Sequence, residues 1–232
     1  MQIQSSGLTL FDYLEDADKS NQTLQNLAQN QYQYQDLRKE LNTLTDSLNL
    51  GQTDNPLKFL DNGFSNVSLK TVNNMIAYNM RPVAEDLQQM ADRFGIKDPV
   101  NLQNVDGKWQ VDGLMDEEQL AAATPEEKAT QEQLQNLQTY LDKNTALQDK
   151  LTQLDRMSEF YEFGQTQEYA KTLQANDVAE DGVVSYLTAS RSLIQEAAGF
   201  SLSSKGLQLN SRGESDSLIE QAKEQFNIKD ES

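Results

Sequence analysis

Residues 124–161 read TPEEKATQEQLQNLQTYLDKNTALQDKLTQLDRMSEFY. Thr124-Pro125-Glu126-Glu127 is a helix start: a capping hydroxyl, a proline at the first helical position, and a glutamate three residues on that closes a capping box. Leu134, Leu137 and Leu141 then recur at the spacing of one helix face. Asn144 or Thr145 opens the next helix, with Leu147, Leu151, Leu154, Met157 and Tyr161 inward. Two amphipathic helices in immediate succession set the fold class as mainly α.

Downstream the pattern persists. Gly164 is expected to interrupt the second helix, with Tyr169, Ala170 and Leu173 continuing it. Asp177-Val178-Ala179-Glu180 reads as a capping box with Asp in the capping position. It leads into Val183, Leu187, Ile194 and Ala198, closed by Gly199. Phe200 and Leu202, then Leu207 and Leu209, alternate around Ser204-Lys205-Gly206, which predicts a small hairpin at about 200–210. Asp216 is expected to cap a terminal helix through Leu218, Ile219, Ala222 and Phe226, with residues 229–232 frayed.

Upstream, Val105-Asp106-Gly107-Lys108 is a two-residue hairpin turn, because Asp-Gly accepts positive φ at both centres. Pairing Val105 with Lys108 sets Leu102 opposite Val111 and Asn104 opposite Trp109. Val100, Leu102, Trp109 and Val111 then share one face of a hairpin at about 100–113. Asp116 to Ala122 reads as a short acidic helix. Ser68 caps a helix carrying Ile76, Met80, Val83, Leu87, Met90 and Phe94; its apolar phase runs across Pro82, and Gly95 stops it. Residues 51–67 read as a loop whose Leu57, Phe59, Leu60 and Phe64 pack down.

Nearer the N-terminus, Ser20 or Asn21 opens a helix with Leu24 and Leu27. From Tyr34 through Leu37, Leu41, Leu44 and Leu48 the spacing is a heptad seam, although Asn30 interrupts its start. Packing antiparallel against its own chain is the expected use of so short a seam. Thr9 caps a shorter helix through Leu10, Phe11 and Leu14. The whole is expected to be an elongated helical bundle with two small β-hairpins covering its ends. Residues 1–50 form an N-terminal helical arm and 51–232 a helical domain with hairpin insertions.

The 232-residue chain has no histidine and no cysteine, and a net charge of -18 from 37 acidic and 19 basic residues. HExxH, Ser-His-Asp and Cys-His sites are therefore impossible, as are thiolate chemistry and Cys-based metal sites. No phosphate-binding glycine motif occurs, and no cofactor is expected. The charge repels phosphate backbones, so a nucleic-acid partner is not expected. A basic protein partner is allowed. No apolar run is long enough for membrane insertion. Asn and Gln make up about a fifth of the chain and read as solvated helix faces.

What remains is carboxylate chemistry. Glu159 and Glu162 lie three apart beside Phe160, Tyr161 and Phe163, with Glu168 and Tyr169 following. A hydrolase acting on sugar polymers would need two such acids converging in a concave pocket. Helix aromatics filling the core while the glutamates face water is the bland counterpart. Asp177, Ala179, Asp181 and Gly182 fall at positions one, three, five and six of an EF-hand spacing, but Ala179 is apolar and position twelve is Thr188 where glutamate is required, so no calcium loop is expected. Three apolar surfaces are candidates for docking a partner protein: the hairpin face of Leu102, Trp109 and Val111, the stripe of Leu37, Leu41 and Leu44, and the Phe160–Tyr161 cluster. Each equally suits an internal core.

Met1 to Phe11 carries no charged side chain, is rich in Gln, Ser and Thr, and lacks the basic and apolar regions of a secretory signal. That composition resembles the uncleaved N-terminal export segments of bacterial flagellar and type III secreted proteins, without a defined motif. The resemblance implies export without a cleaved signal; otherwise the chain is expected in the cytoplasm. The functional expectation is a non-enzymatic bacterial interaction or accessory protein. A carboxylate-dependent hydrolase is the first alternative and an acidic nucleic-acid mimic the second.

Overall fold

The computed structural model describes residues 31–228, with side chains from residue 35. The helix expected after Thr9, the helix start at Ser20 or Asn21 and the last four residues lie outside the described residues. In chain order the elements are α1 (Gln31–Asn49), α2 (Pro56–Gly63), α3 (Leu69–Phe94), β1 (Val100–Val105), β2 (Lys108–Val111), α4 (Glu117–Ala122) and α5 (Pro125–Lys143). They continue with α6 (Thr145–Ala175), α7 (Glu180–Glu196), β3 (Phe200–Ser203), β4 (Gly206–Leu209) and α8 (Glu214–Phe226). The fold is mainly α with one small antiparallel sheet.

The capping residues act as their chemistry dictates. Thr124 and Glu127 close a full capping box at the start of α5, and Asn144 caps α6 through the Leu147 amide. Ser68 caps α3 through the Thr71 amide, and the helix carries across Pro82. It ends in a Schellman pair: Gly95, at φ +76°, donates to the Asp92 carbonyl, and Ile96 donates to Ala91.

Helix α6 is the centre of the molecule and packs against α1, α2, α3, α5, α7 and α8. Its first half belongs to a large core that also takes in Leu44 and Leu48 of α1, the inner faces of α2, α3 and α5, and the sheet. Its second half, from Ala170 and Leu173, joins Val183, Tyr186 and Ile194 of α7 and Leu218 and Ala222 of α8 in a smaller core.

Both hairpins form, and the first has the register its turn requires, Leu102 opposite Val111 and Asn104 opposite Trp109. They do not cover separate ends. β1 pairs antiparallel with β3, Val100 opposite Leu202 and Leu102 opposite Phe200, giving one sheet in the order β2-β1-β3-β4. A lone hairpin leaves two rows of amides and carbonyls unpaired, and joining inner edges removes one row from each. Trp109 and Phe200 meet edge-to-face at 5.0 Å beneath the sheet, both fully buried.

The outer edge of β2 is closed by side-chain amides. Gln148 Oε1 accepts the Trp109 amide at 2.8 Å, and Gln138 Oε1 accepts the Val111 amide at 2.7 Å. Gln138 Nε2 returns a bond to the Trp109 carbonyl at 3.2 Å. Just past the strand, Gln131 takes the Met115 amide and donates to the Gly113 carbonyl, both at 2.8 Å. These three glutamines are therefore structural clamps, not solvated surface.

Other local expectations are corrected. Within 51–67 the chain forms helix α2, because Asn55 caps it and Pro56 occupies its first turn. Gly164 does not interrupt α6; a Cβ there would meet Leu69 Cδ2 at 2.5 Å, so the glycine marks a close helix crossing. Asp177 takes φ +57° after the end of α6, and α7 starts at Glu180 with no side-chain cap on Ala179. α8 begins two residues before Asp216, behind Gly213 at φ +87°. The seam of α1 is not antiparallel to its neighbour. Thr45 meets Gln153 and Leu48 meets Arg156, so contacts advance together along α1 and α6.

Candidate functional site

Asp155, Ser158, Glu162 and Thr166 recur at three, four and four along α6, and all four are buried. This polar row lies between the apolar rows that feed the two cores. Ser158 and Glu162 of this row belong to a sealed network, and an open cleft lies on a different side of the same helix.

The sealed network is built on Glu162, whose side chain is 1 % exposed. Arg212 Nη1 donates to Glu162 Oε1 at 2.7 Å, and Arg212 Nη2 donates to Asn73 Oδ1 of α3 at 2.7 Å. Glu162 Oε2 accepts from the Ser215 amide at 3.0 Å and from the Ser215 hydroxyl at 2.5 Å. The guanidinium of Arg212 lies over the Tyr161 ring, 4.4 Å from its centroid. One turn earlier, the hydroxyls of Ser158 and Ser211 share a hydrogen bond of 2.7 Å. Every acceptor of this carboxylate faces a donor, so its arrangement is that of a tertiary helix cap and a rivet between α3, α6 and α8.

The open cleft, about 220 Å³, lies on the other side of α6. Leu48, Gly51, Thr53 and Asp54 form one wall, Arg156, Glu159, Phe160 and Phe163 the floor, and Arg191, Ile194 and Gln195 the far wall. Arg156 Nη1 donates to the main-chain carbonyls of Leu48, at 2.5 Å, and Asn49, capping the C-terminus of α1. Arg191 Nη2 bonds Asp54 Oδ1 at 2.9 Å while its guanidinium lies 5.6 Å from the Phe163 centroid. Burial pushes the Glu159 carboxyl up to about 7, Asp155 repels its charge further, and Arg156 and Arg191 pull the other way. Burial likewise raises Asp155 to about 6, against the Gly199 amide, which donates to its Oδ1 at 2.9 Å, and against Arg156.

Glu159 and Glu162 therefore do not converge. One lines a cleft and the other is locked into a helix cap, which corrects both readings of the pair, as joint catalysts and as two glutamates facing water. Glu168 is exposed and takes no part in either. Among the described residues no group of three or more acidic side chains is placed to hold a metal ion, and no helix is long and apolar enough to cross a membrane.

The apolar docking candidates fall mostly inside. Leu102, Trp109, Val111, Leu44 and Phe160 are core side chains. Leu37, Leu41 and Tyr161 are half-buried against the same core. Arg156, Arg191, Arg212 and Asp155 were not singled out from the sequence. Asp155, Ser158, Glu162 and Thr166 share one stripe at helical spacing, but α6 is rich in polar residues on its other faces as well, so the stripe does not stand out in the sequence, and Arg191 and Arg212 lie outside this helix. No protein-family model, curated protein or solved structure matches this chain.

Proposed function

We propose that this is a non-enzymatic interaction or accessory protein that presents an acidic surface to a basic partner protein. The observation that carries this reading is the segment 112–127. Asp112, Asp116, Glu117, Glu118, Glu126 and Glu127 are all exposed there, and no lysine or arginine lies among them. Such a run of exposed acidic residues steers a positively charged surface into contact and makes the association salt-dependent. Three of the chain's few arginines, Arg156, Arg191 and Arg212, are meanwhile spent on its own carbonyls and carboxylates.

The test is affinity capture of partners from the native host, followed by reconstitution with the purified partner at about 50 and 300 mM salt. The expected partner is basic, and its binding weakens steeply at the higher salt. Replacing Glu117, Glu118 and Glu126 with Gln leaves both capping boxes intact and is expected to lower affinity at least tenfold. Unchanged affinity of that variant overturns the reading.

A finer version makes the protein an accessory or substrate of a flagellar or type III export system, supported by the uncharged composition of residues 1–11. Deleting residues 1–14 is then expected to block export and leave the thermal unfolding of the rest unchanged. Continued secretion of the truncated chain removes this version.

A further inference from the structure

The cleft holds a pair of donors and a carboxyl that do not satisfy one another. Arg156 caps α1 through Nη1 alone, donating to the carbonyls of Leu48 and Asn49. Its Nε and Nη2 bond no group among the described residues. Those two N–H groups form the side of a guanidinium that grips a carboxylate bidentately. Gly51, on the adjoining wall, leaves the guanidinium uncovered: even a Cβ there would stand 3.7 Å from Nη1 and 4.0 Å from Nη2. Glu159 lies on the same floor, and among the described residues no group donates a hydrogen bond to its carboxyl. Arg191, by contrast, is tied to Asp54 through both the side chain and the carbonyl. Leu48, Pro56, Phe160 and Ile194 supply the apolar surface around these groups.

We propose that this cleft is a binding site for a free α-amino acid with an apolar side chain. The Nε–Nη2 fork of Arg156 receives the carboxylate, Glu159 receives the ammonium, and the side chain lies against Leu48, Phe160 and Ile194. The two polar needs are opposite in sign. A simple anion or a simple cation answers one of them and strands the other in a half-enclosed site. A neutral sugar bonds both groups but brings little apolar body to walls that are mostly aliphatic and aromatic. A zwitterion with a hydrocarbon tail meets all three demands at once. Burial makes an ionised Glu159 costly while nothing pairs with it, and an ammonium offsets that cost. At about 220 Å³ the cleft suits one amino acid of leucine size and is too small for a peptide of several residues. The inference does not rest on the acidic run at 112–127 and is read on the isolated protein.

Titration of the full chain with L-leucine, followed through the amide resonances of Gly51, Thr53, Arg191 and Gln195, tests this. Leucine is expected to shift these amides with a Kd of about 1 mM or tighter. Isocaproate, which lacks the ammonium, leucinol, which lacks the carboxylate, and glycine, which lacks the side chain, are each expected to bind at least tenfold more weakly. This series is read on the wild-type chain and needs no variant. In Glu159→Gln, leucine is expected to lose about tenfold in affinity while isocaproate is unchanged. Absence of any shift with leucine or phenylalanine at about 10 mM overturns the site. So does isocaproate, leucinol, glycine or glucose binding as tightly as leucine. An equal loss of leucine and isocaproate in Glu159→Gln overturns the placement of the ammonium on Glu159, and the proposal with it.

Discussion

Glu162 in the middle of α6 accepts the amide of Ser215, 53 residues downstream, at 3.0 Å, and so caps a helix to which it does not belong. The carboxylate sits at the positive end of α8 and also neutralises Arg212. Removing it strands a guanidinium and a helix start at once. Glu162→Ala is expected to cost about 3–5 kcal/mol, and Glu162→Gln less, because the amide still accepts one bond. Urea unfolding measures both. A loss below about 1 kcal/mol in Glu162→Ala contradicts a structural role.

Gly199 joins α7 to the sheet at φ +113°, and a Cβ there would meet the Leu102 carbonyl oxygen at 2.6 Å. Backbone cannot yield as a side-chain tip can, so Gly199→Ala is expected to cost about 3 kcal/mol or more. Gly107, at φ +82° in the first hairpin turn, has open space around it. Gly107→Ala meets only the left-handed penalty, about 1–2 kcal/mol. Equal losses at the two sites would show that the carbonyl contact is immaterial.

The glutamine clamps separate from ordinary surface glutamine by truncation. Gln138→Ala leaves the Val111 amide and the Trp109 carbonyl without their partner and is expected to cost about 1–3 kcal/mol. Gln135→Ala, on the exposed face of the same helix, is expected to be neutral or slightly stabilising. Thermal melts of the two variants side by side give the comparison.

Asp155 makes stability depend on pH. Its carboxyl is raised from 3.8 to about 6, so the folded chain binds that proton more tightly than the unfolded chain. Its contribution is fully present below pH 4 and is lost as pH rises through 6. Asp155→Asn keeps an acceptor for the Gly199 amide and carries no charge to bury. Above pH 7 it is expected to be more stable than the wild type, on the order of 2 kcal/mol, with the gap closing near pH 4. Denaturant midpoints at the two pH values decide this.

Local chemistry was legible at several places where one short segment contains the whole device, although the equally local caps expected at Asp177 and Asp216 do not form. The Thr124 and Ser68 caps, the Asp106-Gly107 turn with its register, and the Schellman stop at Gly95 are of this kind. The α6 apolar stripe from Leu147 to Met157 needs only its own spacing. Devices split between distant segments were not legible. Nothing near Ser215 announces Glu162 as its cap, and nothing near Trp109 announces Gln138 and Gln148. Gly164 looks like a stop until Leu69 arrives from another helix to require it. The same distance hid the cleft, whose arginines come from different helices. Asn55-Pro56 was legible in principle, since it repeats the logic of Thr124-Pro125, but the surrounding Gly and Asn residues read as loop.

The 31 residues of α6 form a rod of about 46 Å that serves both cores, with the Glu162 network fastened where one gives way to the other. Glu162 ties α6 to the start of α8 at Ser215 and to Arg212, which in turn holds Asn73 of α3, so the two cores are fastened together at this point. Heating should therefore give a single calorimetric transition, with the two ends of the chain losing structure at one temperature.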